Sequence, residues 1–309
     1  MNRINLACIG WRRWLTAVST MLIFAVTAVA APLRVVATTG MVGDLATRIA
    51  GDHAVVDYLM GPGVDPHLYK ATASDVRKLQ RADVILYNGL FLEGKMQSIL
   101  ERMAKAGRHV AAVTAELDHE SLLDPGDGTG HPDPHVWFDI ALWSQCVPVV
   151  VETLARAAPD SAEYFRERGE RVTDELMALH VWAQEISATL RVEQRILVTS
   201  HDAYGYFGEA YGFQVVGLQG ISTVSEAALA DMASLVDFIK ARKVKAIFVE
   251  SSVSHATIER IATDAQVRIG GELFSDAMGT PGQMEKGYDL GTYDGMVRHN
   301  LTTIVEALR

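Results

Sequence analysis

The sequence predicts an α/β protein of two lobes, each a parallel-rich sheet flanked by helices, joined by one long helix. Two observations carry this. β-branched apolar runs alternate with amphipathic helical segments over most of the chain, the pattern that builds parallel sheets through crossover helices. Between the two alternating halves, residues 160–190 hold no proline and one glycine. They repeat apolar residues near helical spacing at Phe165, Val172, Leu176, Leu179, Ala183 and Ile186. A helix of about thirty residues is about 45 Å long, enough to run the length of both lobes.

Residues 1–30 are set apart as a signal peptide. Arg3, Arg12 and Arg13 form a basic start, an apolar run follows over 15–29, and Ala28-Val29-Ala30 marks a cut before Ala31. The run is short for a membrane anchor and ends in small residues. Cys8 precedes it, and Cys146 is then the one cysteine of the exported chain, so stability must come from a core rather than a disulfide. With 49% apolar residues there is ample material for one. The formal charge is −10, which argues against nucleic acid and anionic membrane surfaces as partners.

The N-terminal lobe, residues 31–159, begins with a strand over 33–39 and a helix over 42–49. A second strand over 53–60 ends in Gly61-Pro62-Gly63. A helix over 73–82, capped by Thr72 or Ser74, a strand over 83–87, a helix over 90–106 and a strand over 109–113 follow. Residues 116–134 form a polar loop, and 140–157 read as a helix. After the linking helix, 160–190, the C-terminal lobe occupies 191–309. Its strands are expected over 195–199, 213–218 and 244–250, and its helices over 203–211, 225–242, 256–264 and 293–308. A short apolar run after Gly270-Gly271 leads to Asp276.

One motif occurs twice, as Asp65-Pro66-His67-Leu68-Tyr69 and Asp133-Pro134-His135-Val136-Trp137. Proline fixes its own φ and restrains the residue before it, so each histidine sits on a stiff loop, as a preorganised metal ligand must. In open α/β sheets, ligands bind in loops beyond the carboxyl ends of strands. His67, His135, His201 and Asp276 all fall in such places, two from each half. Three imidazoles and a carboxylate suit Zn²⁺ tetrahedrally, and Mn²⁺ with a bidentate carboxylate or added water; Fe²⁺ accepts the same set. Asp65, Asp133, Asp202 and Glu250 are the carboxylates placed to orient the imidazoles. Tyr69, Trp137, Tyr204 and Tyr206 flank them, either shielding an ion or packing a core.

A histidine after a strand is ordinarily a surface or hydrogen-bonded residue, and Asp-Pro pairs commonly start turns. The spacing leaves that reading open beside a shared metal site. His119 and His131 lie in the polar loop as loose metal recruiters at most, His53, His109, His180 and His299 read as structural, and His255 as a helix cap. Ser200-His201-Asp202 is no hydrolytic triad, because adjacent residues point apart and no G-x-S-x-G elbow exists. A zinc hydrolase using the same ligands would need an open position and a base such as Glu250 or Asp202, and no H-E-x-x-H occurs. A binding protein for a metal chelate or other organic solute is the remaining rival.

Seven stretches carry a family resemblance. They are Met60-Gly-Pro-Gly-Val-Asp-Pro-His-Leu-Tyr69, Ala82-Asp-Val-Ile-Leu-Tyr-Asn-Gly89, Leu92-Glu-Gly-Lys-Met96 and His131-Pro-Asp-Pro-His-Val-Trp137. The others are Thr199-Ser-His-Asp-Ala-Tyr-Gly-Tyr-Phe207, Ile247-Phe-Val-Glu-Ser-Ser252 and Gly270-Gly-Glu-Leu-Phe-Ser-Asp-Ala-Met278. Over nearly all the exported chain, the sequence resembles the TroA-like manganese/zinc-binding solute-binding proteins of bacterial ABC importers. The resemblance implies two lobes bridged by a backbone helix, and a metal held between them by the residues matching His67, His135, His201 and Asp276. It implies a membrane permease as partner, a monomeric binding protein and no enzymatic activity. His201 at the third position matches the TroA-like and zinc-type members, while the short 116–134 loop argues against the His-rich zinc subgroup. No cysteine follows the leader, so the expectation is a periplasmic protein that is not a lipoprotein.

Overall fold

The structure is a computed structural model and describes residues 31–126, 128–224 and 228–309. The expected signal peptide, residues 1–30, lies outside the described residues. The first half starts with β1 (Leu33–Ala37), α1 (Gly40–Ala50), β2 (Ala54–Tyr58), α2 (Ala73–Arg81) and β3 (Val84–Tyr87). It continues through α3 (Gln97–Lys105), β4 (His109–Ala112), α4 (Ile140–Ser144) and α5 (Val147–Ala157). The strands form one parallel sheet in the order β2-β1-β3-β4. β1 and β3 sit at its centre, and the apolar runs Val35–Ala37 and Val84–Tyr87, buried throughout, are what a sheet covered on both faces requires.

The long helix α6 (Ala162–Ala188) spans 27 residues. Phe165, Gly169, Val172, Leu176, Leu179, Ala183 and Ser187 form its buried stripe, against α1, α4, α5, α7 and α10. Its glycine has a packing reason: a Cβ at Gly169 would stand 2.5 Å from Val151 Cγ2 on α5, so the helices approach too closely for any side chain. The second half runs β5 (Ile196–His201), α7 (Gly205–Tyr211), β6 (Gln214–Gln219), α8 (Leu229–Arg242), β7 (Ala246–Glu250), α9 (Ala256–Ala265) and β8 (Arg268–Leu273). A short antiparallel hairpin, β9 (Met284–Glu285) and β10 (Tyr288–Asp289), precedes α10 (Tyr293–Leu308). β5 pairs with β6 and β7 with β8, both parallel, and β5 lies beside β7. No described helix is long and apolar enough to cross a membrane.

The α/β architecture with a long helix matches the expectation; several boundaries do not. The segment expected as one helix over 140–157 breaks into α4 and α5. Pro148 lacks the N–H for the ladder and its ring would meet the carbonyl of Ser144, so a new helix starts with Pro148 in its first turn. The helix expected from residue 90 starts at Gln97. Gly89, Leu90, Phe91 and Gly94 all have positive φ there, because the chain wraps the buried Glu93 carboxylate. Glu93 accepts from Thr38 Oγ1 at 2.7 Å, Asn88 N at 2.6 Å and Gly89 N at 3.1 Å. The expected helix start at 225 falls among residues outside those described. Gly270 and Gly271 belong to β8 rather than preceding it; a Cβ at Gly270 would come within 2.6 Å of Phe248 Cε1.

Candidate metal centre

His67 follows β2, His135 lies between β4 and α4, His201 ends β5 and Asp276 comes just after β8. The fold brings one ligand atom from each within 4.8 Å of the others, and this is the one such group of three or more among the described residues. His135, His201 and Asp276 are buried; His67 is half-buried.

The two copies of the motif build the same turn. His67 N donates to Asp65 Oδ1 at 2.8 Å, and His135 N to Asp133 Oδ1 at 2.9 Å. The second copy goes further, since His135 Nδ1 also lies 2.7 Å from Asp133 Oδ1, which turns Nε2 toward the centre. Glu250, at the end of β7, does the same for His201 from the neighbouring strand. Its Oε1 accepts from His201 N at 2.9 Å and its Oε2 lies 2.6 Å from Nδ1. Asp202 is within electrostatic range of His135 and His201, and burial raises its carboxyl, but no hydrogen bond or ion pair joins it to either ring among the described residues.

Around the centre, His67 Nε2 and His135 Nε2 are 3.3 Å apart. Asp276 Oδ1 is 3.2 Å from His135 Nε2, and its Oδ2 is 3.2 Å from His201 Nε2. Donors held about 2.0–2.1 Å from one tetrahedral ion stand about 3.3 Å from each other. Buried His201 Nε2 and Asp276 Oδ1 have no hydrogen-bond partner among the described residues. Three of the donor pairs thus stand at the spacing of one bound ion, all four donors lie within 4.8 Å, and their chemistry suits a divalent cation.

The electrostatics prepare a ligand set. Burial drives the His67 imidazole down to about 3, so it is neutral with its lone pair free. Burial also opposes charge on His135, but the Asp133 carboxylate, then Asp276, overcome it and lift the ring to about 9. His201 is lifted well above its ordinary value against its own burial, first by Glu250 and then by Asp276. Asp276 stays ionised far below the usual range despite burial, because both imidazoles favour its charge.

The aromatic residues brace the loops. Trp137 packs edge-on to His135 at 5.2 Å and donates from Nε1 to Ser275 O at 3.1 Å, next to Asp276. Tyr204 OH donates to Phe274 O, and Tyr206 OH to Asp133 O. Tyr69 OH donates to Asp75 Oδ2 in the capping box of α2, anchoring the His67 loop. Sequence reasoning missed Asn88, whose Nδ2 donates to Pro134 O at 3.0 Å, and Ser252, whose hydroxyl lies 3.5 Å from Asp276 Oδ2. The signal for both was a polar residue closing an apolar strand. His119 and His131 are exposed and join no cluster; His131 stacks on Phe91 at 4.4 Å. His53, His180, His255 and His299 are held by local partners elsewhere.

Residues 35–307 match the family model described as "ZnuA: Zinc-uptake complex component A periplasmic". The chain is 45% identical over 282 residues to the manganese-binding lipoprotein MntA of Bacillus subtilis (strain 168), covering 90% of each. It is 47% identical over 279 residues to the zinc-binding protein TroA of Treponema pallidum (strain Nichols), covering 89% of this chain and 88% of that protein. The solved structure of the periplasmic zinc-binding protein TroA from Treponema pallidum superposes with a TM-score of 0.84 at 46% identity, over 90% of this chain and 99% of that one. The manganese ABC transporter substrate-binding lipoprotein PsaA of Streptococcus pneumoniae serotype 4 is 28% identical over 281 residues, covering 89% of each.

The expected resemblance to the TroA-like group is thus borne out, and these relatives are named as binding proteins rather than enzymes. One expectation is corrected. MntA and PsaA are named as lipoproteins, which overturns the expectation that the chain is not one. That expectation took the lack of a cysteine after the leader for the lack of an anchor, and so presupposed a cut within residues outside those described. On its family match and these relatives, the chain belongs to the family of zinc-uptake complex component A proteins, alongside TroA and MntA.

Proposed function

We propose that this chain is the solute-binding component of an ABC importer for a divalent transition metal. It captures Zn²⁺ or Mn²⁺ on His67, His135, His201 and Asp276 and hands the ion to a membrane permease. In this reading, the lobes of residues 31–159 and 191–309 close on the ion about the linking helix. The observation that carries it is the convergence of four donor groups, three of them buried, within 4.8 Å. The names of the relatives, zinc-binding, manganese-binding and ABC transporter substrate-binding, support the same cargo and partner. Zn²⁺ would use Asp276 through one oxygen; Mn²⁺ would use both, since both face the imidazoles. Donors at this spacing hold a single ion rather than a chelate. A hydrolase would need an open position and a free base, and of the two bases considered, Glu250 is committed to His201.

Calorimetric titration with Zn²⁺ and Mn²⁺ tests this, in two buffers of different ionisation enthalpy. The metal-free protein holds protons on His135, raised to about 9, and on His201, held well above its ordinary value by Glu250 and Asp276 against its burial, while His67 at about 3 holds none at neutral pH. An ion needs the Nε2 lone pairs, so binding must expel the protons of His135 and His201. Affinity is expected to rise with pH up to about 9 and to fall on acidification, with buffer-dependent heats at neutral pH. Linkage to folding runs both ways: His67, depressed to about 3 by burial, costs the metal-free fold stability as pH falls below about 6.5, while His135 does the opposite. A histidine raised in the fold stabilises it most below about 6.5, and that contribution is lost as pH rises through the folded value. Heats independent of buffer, or affinity unchanged between pH 7 and about 5, would remove the histidines from the site.

A further inference from the structure

Of the four groups, His67 alone is half-buried, so it forms the outermost wall of the centre. The His135 loop is fastened on several sides, by Asn88 to Pro134 O, by Tyr206 to Asp133 O and by Trp137 to Ser275 O. The His67 loop is tied more sparely. Asp65 holds it from within, its Oδ1 accepting from His67 N at 2.8 Å. The other oxygen, Oδ2, accepts from the hydroxyl of Thr223, which lies 158 residues away in the loop after β6. Among the described residues, this is the one side-chain hydrogen bond from the His67 loop to the second half. Gly63 brings the same loop alongside the backbone of Ser251, where a Cβ would make ordinary contact at 3.5 Å.

A single carboxylate therefore grips the backbone of a proposed ligand with one oxygen and the opposite half of the molecule with the other. We infer that Thr223 is a positioning residue: its hydroxyl latches Asp65, and with it His67, over the bound ion and so sets how fast the ion leaves. This rests on the metal-binding reading above. For an ion to escape past the outermost ligand, His67 must swing away, and its loop cannot do so while Asp65 stays bonded across the cleft. A hydroxyl bonded to a carboxylate is charge-assisted and stronger than a neutral pair. The bond can form only once the loop is closed, so its loss should appear in the release rate rather than the capture rate.

The test is rapid mixing of the zinc-loaded protein with an excess of a chromogenic zinc chelator, together with association rates for Zn²⁺ and the metal-free melting temperature. Thr223→Val removes the hydroxyl at nearly constant volume, and Thr223→Ser keeps it. Thr223→Val is expected to release zinc about ten-fold faster with capture unchanged within about two-fold, and Thr223→Ser to release at the wild-type rate. The metal-free melting temperature is read beside the rates, and rescue of the release rate by Thr223→Ser, which keeps the hydroxyl, is what a loss of packing alone would not give. Release from Thr223→Val at the wild-type rate, from a wild type that retains zinc and a His67→Ala that does not, overturns the latch and leaves the metal site standing. So does slower capture with unchanged release. A wild type that fails to retain zinc overturns the metal-binding reading and the latch with it.

Discussion

His201→Ala is expected to lower zinc affinity by more than about 100-fold, beyond the usual upper cost of losing a mere supporting partner. The variant removes a donor and also strands two carboxylates. Glu250 Oε2 at 2.6 Å and Asp276 Oδ2 at 3.2 Å both face the imidazole, and all three side chains are fully buried. Leaving buried charge unpaired costs about 3–5 kcal/mol, so the metal-free variant should also melt at lower temperature. His67→Ala makes the informative contrast. That ring is already neutral and half-buried, so its loss should cost affinity with little change in the metal-free stability. Competitive zinc titration and thermal unfolding of both variants check the pair. Wild-type affinity in His201→Ala would exclude it as a ligand.

Trp137→Ala is expected to destabilise the protein by about 3–5 kcal/mol, as deleting a fully buried aromatic side chain does. Trp137 spans the two halves. Its ring packs on His135, its Nε1 donates to Ser275 O, and its own carbonyl accepts from Tyr293 OH at 2.6 Å. Metal affinity should fall as well, because Ser275 directly precedes Asp276. Trp137→Phe separates the effects: most of the packing stays, while the buried Ser275 carbonyl loses its donor, at about 1–3 kcal/mol. Urea unfolding beside zinc competition reads both. A Trp137→Ala variant with unchanged midpoint and affinity would show that Trp137 braces neither.

The candidate site was legible because each of its four members has a local cause. Pro66 and Pro134 stiffen two loops, and strand ends deliver His201 and Asp276, so position along the chain already pointed at a convergence. Among the supporting carboxylates, Asp133 and Asp65 were legible for the same reason, since an aspartate two residues before an N–H turns back on its own backbone. Asp202 and Glu250 were not distinguishable. Only strand neighbourhood, β5 beside β7, puts the Glu250 carboxylate against the His201 ring. The broken helix at Pro148 was visible in principle; the late start of α3 was not, because it depends on three groups meeting the buried Glu93.

By itself, then, the sequence determined the alternation of strands and helices and the long helix, and it marked four candidate donors, because periodicity and proline chemistry act within a few residues. The tertiary structure decided what each donor feels. Packing sets the imidazole values apart, with His67 near 3 and His135 near 9, through burial in one case and a facing carboxylate in the other. It also placed Thr223 on Asp65 and Glu250 on His201. Such pairings join residues far apart in the chain, and only the fold brings them within reach.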